Sequence, residues 1–123
     1  MKILVVDDSR VMRQIVIRTL RQSGHAGHDI VEAENGRMAF EMIAAEAPDL
    51  VLSDWNMPEM TGIDLLGALR RAGIGVPFGF VTSEGSPAMR EQAEAAGASF
   101  LVAKPFTAET FDEVLTPVLG AAR

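Results

Sequence analysis

The chain contains no cysteine, which excludes disulfides and thiolate chemistry and suits a reducing compartment. Basic residues are scarce, with 11 Lys and Arg against 17 Asp and Glu, for a net charge of −6. That balance argues against a nucleic-acid partner, since binding to a phosphate backbone needs clustered cations that release counterions. Long hydrophobic runs are also missing. Met1-Lys2-Ile3-Leu4-Val5-Val6 opens like a signal peptide, but Asp7 and Asp8 end the run far too early. No other stretch approaches the length of a membrane span. A cytoplasmic protein without membrane contact is therefore expected. Linkers, repeats and low-complexity segments are absent as well.

What remains is a chain of 123 residues, 48% of them apolar, which is enough for one core. One domain over residues 1–123 is expected, acting as a monomer. Any output domain is expected on another chain.

Four unbroken apolar runs, Ile3–Val6, Leu50–Leu52, Phe78–Val81 and Phe100–Val102, read as strands buried on both faces. A more polar run, Asp29–Ala33, fits an edge strand. Helical spacing fills the intervals. Met12, Ile15, Val16, Thr19 and Leu20 line one predicted helix, capped by Ser9. Met38, Ala39, Met42 and Ile43 line a second after Asn35-Gly36, and Leu65, Leu66 and Leu69 a third. Ser86-Pro87 starts a fourth, because proline suits the first helical position. Phe111, Val114, Leu115 and Val118 line a fifth, capped by Thr107. Five strand–helix repeats predict an α/β fold, a doubly wound parallel sheet with helices on both faces. In such sheets ligands bind beyond the carboxyl ends of the strands.

At those ends the sequence places Asp7-Asp8, Asp54, Thr82-Ser83 and Lys104-Pro105. Taken singly, each has an ordinary reading: a helix cap, a strand-end threonine, a solvated lysine. Their joint occurrence at consecutive strand ends is the informative feature. Three gathered carboxylates repel one another and call for a cation. Oxygen ligands of this kind suit Mg²⁺, which can also take a phosphate oxygen. An ionised Asp beside that ion can attack phosphorus and form an aspartyl phosphate. Lys104, the Thr82 hydroxyl and nearby N–H groups would serve the remaining oxygens.

The segments Val5-Val6-Asp7-Asp8-Ser9, Ser53-Asp54-Trp55-Asn56-Met57-Pro58-Glu59-Met60-Thr61-Gly62, Val81-Thr82-Ser83-Glu84 and Lys104-Pro105-Phe106 resemble the signature of bacterial response-regulator receivers, nearest the single-domain CheY-like chemotaxis type. The resemblance spans essentially the whole chain. It implies the flavodoxin-like strand order 2-1-3-4-5 with five helices. It also implies Asp54 as phosphoacceptor, with Mg²⁺ held by Asp7, Asp8, Asp54 and the backbone carbonyl of Asn56. Thr82 would move toward the phosphoryl group, Lys104 would pair with its oxygens, and the bond before Pro105 would be cis. Asn56 and Glu84 occupy the positions that tune hydrolysis. The donor implied is a histidine kinase or histidine phosphotransfer protein. The implied downstream protein target docks on the fourth helix, fifth strand and fifth helix. Such a protein is not an enzyme acting on an outside substrate; it catalyses only its own phosphorylation and dephosphorylation. Motor control in chemotaxis, a phosphorelay intermediate, a phosphate sink and an inactive binding module are the roles to separate.

Two departures stand out. Receivers usually carry Tyr or Phe three residues before the lysine, where this chain has Leu101; Phe100 should face the other way. Pro117 is expected to kink the last helix or end it near Thr116. Other Asp-based chemistry fits poorly. Asp7-Asp8-Ser9-Arg10 lacks the D-x-D spacing of haloacid-dehalogenase phosphatases, and the loop after the first strand lacks a flavin-phosphate cradle. His25 and His28, in a Gly-rich loop without a third ligand, read as surface. Arg10, Arg13, Arg18 and Arg21 read as a solvated helix face, with docking of an acidic partner as the alternative.

Overall fold

A computed structural model describes residues 1–25 and 27–119, apart from the side chains of His25 and Leu119. Each apolar run pairs in parallel with its neighbour. The strands are β1 (Lys2–Val6), β2 (Asp29–Ala33), β3 (Leu50–Ser53), β4 (Phe78–Thr82) and β5 (Phe100–Ala103). They form one sheet in the order β2-β1-β3-β4-β5. The intervening helices are α1 (Arg10–Leu20), α2 (Gly36–Glu46), α3 (Gly62–Arg71), α4 (Pro87–Ala96) and α5 (Ala108–Leu119). The doubly wound sheet with five helices expected from the alternation is thus the observed fold.

Strand side chains alternate between two cores. Leu4, Val6, Val51, Phe78 and Phe80 pack with Leu65, Leu66 and Leu69 of α3 and with Ala39 and Ile43 of α2. Ile3, Val5, Leu50, Leu52 and Val81 pack on the other face with Val16 and Leu20 of α1 and Phe111 and Leu115 of α5. Leu101 belongs to the first core and Phe100 to the second, as strand alternation requires.

The helices begin where short polar side chains catch free N–H groups. Ser9, Asn35 and Ser86 each accept from the N–H three residues on, and Pro87 occupies the first position of α4. Thr107 does the same for Thr110 at the start of α5. Thr61 and Asp64 form a reciprocal capping box at α3, which the sequence analysis did not single out.

Three expectations need correction. Ile15 of α1 is exposed rather than part of the core stripe, and Ile17 takes a buried place instead. Met38 of α2 is likewise exposed. Of the two outcomes expected at Pro117, the early end near Thr116 does not occur, since α5 runs through Pro117 to Leu119. Pro117 sits in the last turn, and Glu113, whose carbonyl would have received its N–H, is exposed and open to water.

The strand order reverses between β1 and β3, because β2 and β3 flank β1 on opposite sides. At such a reversal an open α/β sheet leaves room for ligands beyond the carboxyl ends of its strands.

Candidate functional site

The register of β1 against β3 decides what meets at those strand ends. Val6 stands opposite Ser53, and the Asp54 N–H donates to the Val6 carbonyl at 2.9 Å. The residue after each strand is therefore an aspartate facing the other. Carboxylate oxygens of Asp7, Asp8 and Asp54 lie within 4.8 Å of one another.

The three carboxylates sit in different surroundings. Asp7 is only 4% exposed, and its Oδ1 accepts the Ser9 N–H at 2.8 Å. Burial pushes its carboxyl up to about 6, with the charges of Asp54 and Asp8 adding to the rise, while the Ser9 N–H and Lys104 oppose it. Asp54 is half-buried and accepts the Trp55 N–H at 2.8 Å. Burial raises its carboxyl as well, against the Lys104 charge and the Trp55 and Asn56 N–H groups. Asp8 is exposed. Two carboxyls raised by desolvation and mutual repulsion form a site short of positive charge, and an all-oxygen donor set fits Mg²⁺.

The other strand ends converge here. The Lys104 N–H donates to the Thr82 carbonyl at 2.8 Å, and its ammonium is felt by both Asp7 and Asp54. Thr82 is fully buried, with its hydroxyl accepting the Glu84 N–H at 3.2 Å. The Lys104–Pro105 bond is cis. Asn56 and Glu84 are exposed at the rim. Leu101 is buried, one strand position before Val102 and two before Ala103, under the loop that follows β4. A Cβ on Gly85 of that loop would touch the Ala103 Cβ at 2.8 Å and Leu101 Cδ2 at 3.7 Å.

Two contributors escaped the sequence analysis. A Cβ on Gly62 would strike the Asp54 carbonyl oxygen and the Phe80 ring, so only glycine lets α3 begin this close to the aspartate. Arg13 is not on the solvated face assigned to the α1 arginines: its side chain is 12% exposed and bonded to the Asp7 carbonyl, whereas Arg10, Arg18 and Arg21 are exposed. The Asp7, Asp8, Asp54 group is the metal-capable cluster found among the described residues. The pair suggested by His25 and His28 falls partly outside them, since the His25 side chain is not described. No helix among the described residues is long and apolar enough to cross a membrane.

An acid cluster at the switch point of a doubly wound five-stranded sheet, with a lysine near it and a threonine at the next strand end, is the arrangement of the receiver class. The chain belongs to the response-regulator receiver domain family, whose model matches residues 3–116. It is 43% identical to the chemotaxis protein CheY1 of Helicobacter pylori over 123 residues, covering 98% of each chain. A CheY homolog of Campylobacter jejuni is 41% identical, covering 98% of this chain and 93% of the relative. Among solved structures, the chemotaxis protein CheY4 of Vibrio cholerae superposes with a TM-score of 0.84 at 37% identity, covering 96% of this chain and 98% of that one.

Proposed function

We propose that the chain takes a phosphoryl group from a phosphohistidine onto Asp54 and carries it as a cytoplasmic signal to a protein partner. The observation that supports this most is the approach of three carboxylates to within 4.8 Å beside Lys104. Asp7, Asp8, Asp54 and the carbonyl of Asn56 would hold Mg²⁺, which when bound neutralises the cluster and one phosphoryl oxygen.

The remaining chemistry belongs to the chain. An Asp54 carboxylate oxygen attacks phosphorus, the bond to the donor imidazole nitrogen breaks, and the electron pair leaves with that nitrogen, which takes a proton from water. The Trp55 N–H, bonded to Asp54 Oδ1, helps fix the orientation of the attacking carboxylate. Lys104 pairs with a phosphoryl oxygen, and Thr82 gives up its bond from Glu84 to donate to another. Water later cleaves the acyl phosphate to free phosphate and the Asp54 carboxylate. Asn56 and Glu84, both at the rim, control its approach.

The donor is a histidine kinase or histidine phosphotransfer protein, and the partner surface is α4–β5–α5. A cleft of about 400 Å³ lies on that side, away from the carboxylates, between α4 and β5. It is lined by Arg90, Ala93, Glu94, Phe100 and Leu101 among others. Likeness to CheY proteins supports a chemotaxis role. Leu101, where an aromatic switch residue would stand, favours a second reading as relay intermediate or phosphate sink.

Titration with Mg²⁺ and then beryllofluoride or acetyl phosphate, followed by Trp55 fluorescence, tests the assignment. A saturable change in the wild type, lost in Asp54→Asn together with covalent phosphate in the mass spectrum, is the expected result. Normal labelling of Asp54→Asn would move the acceptor elsewhere. No response and no phosphorylated protein would leave an inactive receiver serving as a binding module.

A further inference from the structure

Arg13 makes an unusual fork for a helix-surface arginine. Its Nη1 donates to the Asp7 carbonyl at 2.6 Å, and its Nε to Glu32 Oε1 at 3.0 Å. Glu32 also accepts from Gln14 Nε2 at 3.4 Å, and it is carried on β2, whose ladder with β1 pairs Val5 with Glu32 and Val6 with Ala33. The Asp7 N–H meanwhile donates to the Ala33 carbonyl at 3.2 Å. The Asp7 backbone is thus held on both sides, by β2 through its N–H and by Arg13 through its C=O.

That carbonyl belongs to the peptide unit linking Asp7 to Asp8. Asp8 is exposed, so its carboxylate takes its position from the backbone that carries it. A planar peptide turns as one body, so fixing its oxygen also fixes the N–H and Cα of Asp8. Mg²⁺ demands near-ideal octahedral geometry at short distances, which makes a loosely oriented ligand costly. A cation beside a cation site would ordinarily oppose metal binding, but Glu32 pairs with this one and offsets its charge.

We propose that Arg13, braced by Glu32, is a positioning residue for the acidic pocket: it orients the Asp7–Asp8 peptide so that Asp8 presents its carboxylate to a divalent cation. The proposal rests on the Mg²⁺-dependent phosphoacceptor reading given above.

Its test turns on a sign. If Arg13 acted only as a nearby charge, Arg13→Ala would tighten Mg²⁺ binding; if it only held the fold together, affinity would stay put while stability fell. Positioning predicts weaker binding, by about tenfold as for other residues that orient metal ligands. Arg13→Lys keeps the charge and one donor but not the fork, and should recover only part of the affinity. Mg²⁺ titrations of the full chain by Trp55 fluorescence, each paired with urea unfolding in EDTA, separate these outcomes. Unchanged or tighter Mg²⁺ binding in folded Arg13→Ala and Arg13→Lys overturns the proposal. Failure of the wild type to bind Mg²⁺ overturns the reading of the acidic pocket itself, and the role of Arg13 with it.

Discussion

Gly79 of β4 and Phe100 of β5 stand opposite each other in the ladder, and the Phe100 ring fills the space where a Cβ on Gly79 would sit. The pair contributes one large and one vanishing side chain to the same patch of the second core. Gly79→Ala should push the ring aside and cost about 1–3 kcal/mol, the usual range for overpacking. In the double variant with Phe100→Ala the added methyl finds room, so the two losses should fall short of additive by about 1 kcal/mol. Urea unfolding of the four proteins in this cycle measures that coupling.

Ala47 and Glu59 hold left-handed backbone at φ 47° and 67° without being glycine. Ala47 ends α2 and Glu59 lies in the loop between Asp54 and α3. Such conformations cost about 1–2 kcal/mol for residues with a Cβ. Replacement by glycine relieves that strain and returns part of it as chain entropy. Ala47→Gly should therefore gain about 0.5–1 kcal/mol, seen as a Tm raised by about 2–5 °C. Glu59→Gly should gain likewise in stability. Because its loop follows Asp54, the proposed acceptor, phosphoryl chemistry should be measured alongside.

The Asp7 carboxyl is pushed from 3.8 up to about 6 in the fold. A raised carboxyl means that the folded state binds more protons than the unfolded chain between those values, so stability falls as pH rises through this window. The penalty is absent below the lower value and complete above the upper. Without metal, Asp7→Asn should stabilise the protein at pH 7–8 by about 1–3 kcal/mol. The amide oxygen can still accept the Ser9 N–H. The gain should vanish near pH 4, and urea unfolding in EDTA across this range checks it. In the wild type, protonation of Asp7 should also weaken Mg²⁺ binding below pH 6, up to tenfold per pH unit for one displaced proton.

Thr82 is sealed from solvent, and its hydroxyl accepts from the Glu84 N–H. Thr82→Ala leaves the proposed nucleophile and the acid cluster in place, so acetyl phosphate should still label Asp54. Removing the hydroxyl leaves the Glu84 N–H without that partner and should cost about 1 kcal/mol. The expected signature is labelling without the change in partner affinity that the proposed switch predicts for the phosphorylated wild type. A Thr82→Ala protein that still switches its partner would assign the coupling to the buried Leu101 and the loop over it.

Much of this protein was legible in the chain. Short-range signals such as Ser9, Asn35 and Ser86-Pro87 act within one helical turn, so their sequence neighbours are their structural partners. Unbroken apolar runs between helical stretches specify parallel strands buried on both faces, and from there the strand ends are where chemistry collects. Asp7, Asp54, Thr82 and Lys104 could be named that way, as could the opposite facing of Phe100 and Leu101.

Tertiary structure decided the rest, because the deciding partners are far apart in the chain. Four arginines in α1 and just after it look alike in sequence, yet of these only Arg13 is turned toward the Asp7 carbonyl and the β2 carboxylate of Glu32. The need for glycine at 62 and 79 arises from the Asp54 carbonyl and the Phe100 ring, contacts set by how α3 and β5 pack. Ile15 and Ile17 changed places between surface and core because the rotation of α1 on the sheet selects the buried stripe. Periodicity specifies that a helix has an apolar face, but only packing against the sheet determines which residues lie at its edge.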